Sequence, residues 1–144
     1  MSTESLLPKH LDPFRFSERE VHLTGTLPLS GMSRLCQQAG LSQNGSVKVD
    51  LQFNLSSHQK IPLLRGHVEA TLALECQRCA GPFVYEIMAD FLLGVIKTLA
   101  QEQDLPHDYE IVLMENKYLV LSELIEDELI LNMPMIPKHE LGAC

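Results

Sequence analysis

Cys76-Gln77-Arg78-Cys79 is the segment of this sequence best suited to chemistry. Two cysteines separated by two residues can turn their sulfurs toward one ion, which supplies half of a tetrahedral site. The pair is followed at once by Ala80-Gly81-Pro82, a turn sequence rather than a helix start. A thioredoxin-like redox pair opens a helix, so this context favours a metal site or a pair of reduced thiols over a redox couple. His139 and Cys144, in the tail after Pro137, would complete a Cys₃His set of the kind found in structural zinc sites. The candidate cofactor is therefore zinc, held by Cys76, Cys79, His139 and Cys144. Arg78, between the two cysteines, adds a cation beside them.

A second group lies near the C-terminus. Glu126, Asp127 and Glu128 stand together in a helical segment, and Glu128 falls inside the apolar stripe formed by Leu121, Leu124, Ile125, Leu129 and Leu131. A carboxylate there needs water or a partner, because an unpaired buried charge is very costly. Pairing with Arg65 or Arg78 is expected. Glu123, Glu126 and Asp127 read as a solvated face. A hydrolase using Glu128 and His139 is a remote reading. The sequence holds no G-x-x-x-x-G-K-[ST], G-x-G-x-x-G, H-E-x-x-H or G-x-S-x-G. Cys36 reads as a core residue, and His22 and His67 as exposed positions on strands.

The elements that must position these groups follow from periodicity. Val47, Val49, Leu51, Phe53 and Leu55 alternate with Lys48, Asp50, Gln52 and Asn54, the pattern of a half-buried strand. Similar alternation predicts strands near 21–29, from Leu64 to Cys76, from Phe83 to Val95, and a short one from Glu110 to Met114. Ser30 and Gly40 bracket a short helix. A second helix runs from about Leu121 to Met133 and stops before Pro134. Residues 1–19 read as irregular and 97–109 as a long loop. The fold class is α+β: about five antiparallel strands, open or barrel-like, with a short helix after the first strand and a C-terminal helix packed on the sheet. One-faced strands in succession imply a sheet covered on one side.

The chain of 144 residues fits a single domain, 1–144, with 134–144 as a tail. The longest apolar run, Phe91 to Ile96, is six residues, against about 20 for a membrane span. No signal peptide is apparent, and four cysteines without one suggest a reducing, cytoplasmic setting. A net charge of −8 argues against a nucleic-acid coat, whose affinity comes from neutralising phosphates.

Leu11-Asp12-Pro13-Phe14-Arg15, Leu74-Glu75-Cys76-Gln77-Arg78-Cys79 with Pro82-Phe83, and Glu126-Asp127-Glu128-Leu129-Ile130-Leu131 with Pro134 and Pro137-Lys138-His139 stand in this order along the chain. Together they resemble the opening, central and C-terminal motifs of the YceD family, the bacterial large ribosomal RNA subunit accumulation proteins. The resemblance implies a role in synthesis, processing or stability of large-subunit ribosomal RNA and no known enzymatic activity. The implied partner is ribosomal RNA or a pre-ribosomal particle, reached through a protein partner, with no membrane and no DNA. The alternative is a zinc-stabilised adaptor that binds a protein and touches no RNA.

Overall fold

Strict alternation of apolar and polar residues builds most of the molecule. The structure is a computed structural model that describes residues 7–57, 60–105 and 107–139. In chain order the elements are β1 (His10–Leu11), α1 (Pro13–Glu18), β2 (His22–Pro28), α2 (Ser33–Ala39), β3 (Ser46–Leu55), β4 (Pro62–Glu75), β5 (Pro82–Ile96), a 3-10 turn at Leu99–Asp104, β6 (Glu110–Leu113), β7 (Leu119–Val120) and α3 (Leu121–Leu131). Strands β2 to β6 form one sheet in sequence order, while β1 and β7 pair apart from it. The fold is α+β, as the pattern implies, and the five-stranded sheet stays open rather than closing into a barrel.

One strand departs from the antiparallel expectation. β6 runs parallel to β5, with Leu93 opposite Glu110 and Ile96 opposite Leu113. The reason lies in the connection: the stretch 97–109 crosses over instead of turning back, and it contains the 3-10 turn where a plain loop was expected. A parallel neighbour requires such a crossover. The segment before residue 19, expected to be irregular, carries α1. Asp12 caps that helix by accepting a hydrogen bond from the Arg15 amide at 3.2 Å, and Pro13 occupies the first turn, where its missing N–H costs nothing.

All three helices lie on one face of the sheet. Phe53, Leu64, Leu72 and Leu93 from the strands meet Leu11, Leu35, Leu121, Ile125 and Leu129 in a single core. The closest approach is at Gly66, which faces Phe91 across the β4–β5 ladder. A Cβ there would sit 2.1 Å from the ring, so the ring lies over bare backbone. The opposite face is polar along β2 to β4 and carries exposed Val84, Met88, Ile111 and Leu113 on β5 and β6. His22 meets Asp50 at 2.9 Å, and His67 meets Asp90 at 2.6 Å and Glu69 at 3.3 Å. The hydrogen bond that His67 donates to Asp90 raises the His67 pKa above its ordinary value, against the opposing effect of burial. Both histidines thus take the outward positions expected of them.

Helix α2 ends at Gly40, whose φ of +79° is the left-handed geometry that glycine adopts without strain. Its start differs from expectation. The helix begins at Ser33 rather than beside Ser30, and Met32 at the N-cap offers no side-chain acceptor. Cys36, expected in the core, is half-buried, with its sulfur 4.0 Å from the Leu29 carbonyl oxygen.

Candidate metal centre

The long hairpin of β4 and β5 ends in the segment Cys76–Gly81. The Cys76 amide donates to the Gly81 carbonyl at 2.9 Å, and the Ala80 amide donates to the Cys76 carbonyl at 2.8 Å. Ala80 adopts a φ of +60°, a left-handed conformation that curls the chain sharply after the second cysteine. These bonds fold Cys76 and Cys79 onto one side of the turn. The chain leaving α3 then passes alongside: the Gln77 amide donates to the Pro137 carbonyl at 2.7 Å, and Arg78 Nη2 donates to the His139 carbonyl at 3.1 Å.

This tether brings His139 to the cysteines. Cys79 Sγ and His139 Nδ1 are 3.5 Å apart, and the His139 ring packs against Phe83 with centroids 5.0 Å apart. The ligand atoms of Cys76, Cys79 and His139 all lie within 4.8 Å of one another. In a tetrahedral zinc site with bonds near 2.3 Å to sulfur and 2.0–2.1 Å to nitrogen, ligand atoms stand roughly 3.5–3.8 Å apart. The donors fit that geometry with little movement. Cys144, the fourth expected ligand, lies outside the described residues.

The surroundings favour thiolate at Cys76. Burial alone would push the thiol up, but amide donors from Cys79, His139 and Arg78, with the His139 side chain, outweigh it and bring the pKa down to about 5. The amides of Arg78 and His139 each stand 3.4 Å from Cys76 Sγ. A sulfur surrounded by N–H groups is already solvated as an anion, which is how a metal-bound thiolate must be held.

The acidic motif of α3 is placed elsewhere, and only part of its expected role survives. Glu126, expected on a solvated face, is 6% exposed because α2 packs against that side of α3. Its Oε1 accepts from Arg34 Nε at 3.2 Å and Nη2 at 3.0 Å. Its Oε2 accepts from the Leu35 amide at 3.0 Å. Glu126 therefore supplies from α3 the cap that α2 lacks in its own sequence. Asp127, at the exposed end of the cluster, receives Arg34 Nη1 at 2.6 Å. Sequence reading missed Arg34; it is 92 residues from Glu126, and no local pattern announces the pairing. Leu131, expected in the buried stripe, is 68% exposed at the last turn of the helix.

Glu128 is buried as expected, at 6% exposure, but it is not paired with Arg65 or Arg78. Arg65 lies on the polar face of the sheet, opposite Gln52 and Leu92, whereas Glu128 lies on the helix-covered side. Arg78 is engaged at His139. Among the described residues no cation reaches the Glu128 carboxylate, and no hydrogen bond links it to His139. Burial pushes its pKa up from an ordinary 4.5 to about 7, with repulsion from Glu110 and Asp127 adding to the effect. The folded state thus favours the protonated form. Its contribution to stability is intact below about pH 4.5 and is lost as the pH rises through about 7. Glu128→Gln should raise the melting temperature at pH 8, by about 1 kcal/mol of stability after allowance for solvent screening. The gap should close below pH 4.5; equal gaps at both pH values would contradict this placement of the charge.

No helix of the described residues is long and apolar enough to cross a membrane. Comparison with known proteins gives a consistent result. Residues 64–144 match the family model for the large ribosomal RNA subunit accumulation protein YceD. The protein of that name from Haemophilus influenzae is 30% identical over 139 residues, covering 96% of this chain and 79% of the relative. No solved structure matches the chain.

Proposed function

This chain belongs to the YceD family, and on that footing we propose that it supports the accumulation of large-subunit ribosomal RNA as a non-enzymatic cytoplasmic factor. The observation that carries the reading is the similarity to the Haemophilus influenzae protein over nearly the whole chain. The finer steps are ours. The protein acts on synthesis, processing or stability of that RNA within a pre-ribosomal particle, and it does so through a protein partner. A net charge of −8 supports the indirect route, since long-range attraction to phosphate is reversed in sign.

Zinc at Cys76, Cys79 and His139, with Cys144 as the fourth ligand, serves in this reading as a structural clip. It would fasten the chain after α3 to the tip of the β4–β5 hairpin, where the Gln77–Pro137 and Arg78–His139 bonds already join them. Arg78 then holds the clip closed, while Glu126 and Asp127 lock α3 to α2. The family motifs thus act on the scaffold, and the scaffold presents a binding surface.

The test is genetic. A deletion strain should show a lower ratio of mature large-subunit to small-subunit ribosomal RNA, restored by the wild-type gene. An unchanged ratio, including under cold or slow growth, would remove the functional reading.

A further inference from the structure

Charge is distributed very unevenly along this chain. Residues 1–97 carry nine Asp and Glu against nine Lys and Arg, whereas residues 98–144 carry ten against two, so the entire net charge of −8 falls in the second segment. That segment contains β6 and α3, and β6 is the last strand of the sheet. Beyond β6 no further strand is paired among the described residues, so the outer side of its backbone makes no ladder there.

This edge is only partly protected. Sheets guard such strands with lysine, proline, a bulge, an inward-pointing charge or simple shortness; β6 has no lysine or proline, but it is four residues long and Glu110 faces the helix-covered side. Val112 points into the core side, while Ile111 and Leu113 on the other face are 40% and 42% exposed. Glu110 shares the helix-covered side with Val112 by strand alternation, and there it acts on Glu128. Glu128 is more than nine-tenths buried and has no cationic partner among the described residues. Glu128 is therefore a buried carboxyl group without a cation, and an incoming cation would hold it in the charged form that burial now disfavours.

We propose that the β6 edge is a docking site for an extended, cationic polypeptide segment, which adds as a strand and delivers a lysine or arginine to Glu128 and Glu110. Alternation in the added strand gives it two faces. Apolar side chains of one parity cover Ile111 and Leu113. Basic side chains of the other parity reach the two carboxylates. Backbone hydrogen bonds to β6 provide register, as in other cases of strand addition. An RNA strand does not fit, since this is the most acidic part of the molecule. The proposal rests on the reading that the protein works through a protein partner, and it supplies the chemistry of that partner.

The test uses the full-length protein and a short synthetic peptide of alternating lysine and valine, with an alternating glutamate and valine peptide and a single-stranded RNA oligonucleotide as comparisons. The lysine peptide should bind, weaken as salt is added, and slow hydrogen exchange of the β6 amides. Glu128→Gln should weaken it by about tenfold, the equivalent of about 1.4 kcal/mol for one lost charge contact. The double variant I111K/L113K, whose changes lie on exposed side chains, should weaken it further. Equal binding of the two peptides would overturn the proposal. So would unchanged affinity in both variants, unaltered exchange at β6, or RNA competing for the same site. Ribosomal RNA levels do not enter this measurement, so its failure would remove the docking site and leave the cellular role standing.

Discussion

Glu126→Ala should destabilise the protein by about 2–3 kcal/mol, from loss of a helix cap and of the carboxylate that receives Arg34. In a chain of this size that corresponds to a fall in melting temperature of roughly 6–12 °C. The expectation follows from what each oxygen does. Oε2 accepts from the Leu35 amide, one of the N-terminal amides of α2 that has no partner within its own helix. Met32 cannot substitute, because it has no acceptor at the cap position. Oε1 holds Arg34, but that side chain is half-exposed and can be rehydrated once released. The larger share of the loss therefore comes from the cap. Arg34→Ala should cost much less than Glu126→Ala, and Glu126→Gln should fall between them, since an amide oxygen can still accept from Leu35. If Arg34→Ala proves as damaging as Glu126→Ala, the ion pair rather than the cap holds α2 against α3. Thermal melts of the three variants decide the point.

The contrast between Glu126 and Glu128 shows where sequence patterns carry information and where they stop. Strands β2 to β5 were legible because one face is buried and the other wet, so each strand records its own environment at every second residue. Buried Leu121, Ile125 and Leu129 were legible for the same reason at helical period. Glu126 was not, because its burial is caused by α2, an element far away in the chain, and by Arg34 in particular. Glu128 was recognised as a charge in an apolar setting, but its neighbours were not. Arg65 is excluded by the side of the sheet it occupies, and Glu110 comes close only because β6 runs parallel to β5. That crossover could not be read from a polar stretch at 97–109, since polarity marks exposure and not direction. The meeting of His139 with Cys76 and Cys79 was legible through connectivity, because Pro134 ends the helix and Pro137 limits the exit. The bonds that fix the meeting, from Gln77 to Pro137 and from Arg78 to His139, are made to backbone carbonyls, which leave no mark on the sequence.

Protein purified without chelator should contain zinc in equimolar amount, and Cys76→Ser or Cys79→Ser should lower the affinity by more than about a hundredfold. Loss of a group that merely orients a metal ligand already costs 10–100-fold, so loss of a ligand must cost more. His139→Ala should act similarly, because its Nδ1 stands 3.5 Å from Cys79 Sγ, the spacing of two ligands on one ion. Cys36→Ser should retain the metal, since that sulfur lies beside the Leu29 carbonyl and outside the cluster. Replacement of zinc by cobalt makes the coordination visible: a tetrahedral thiolate site gives strong absorption in the visible and near-ultraviolet. Cys144→Ser should weaken the thiolate band, which tests the fourth ligand directly. Chelation should release the chain after α3 from the hairpin tip without unfolding the sheet, because the core of Phe53, Leu64, Leu72 and Ile125 is built independently of the cluster. Hydrogen exchange would register that as faster exchange at Gln77 and nearby amides, with β3 and β4 unchanged. Metal-free protein from a chelator-free preparation, or zinc retained in both cysteine variants, would reduce the cluster to a hydrogen-bonded turn.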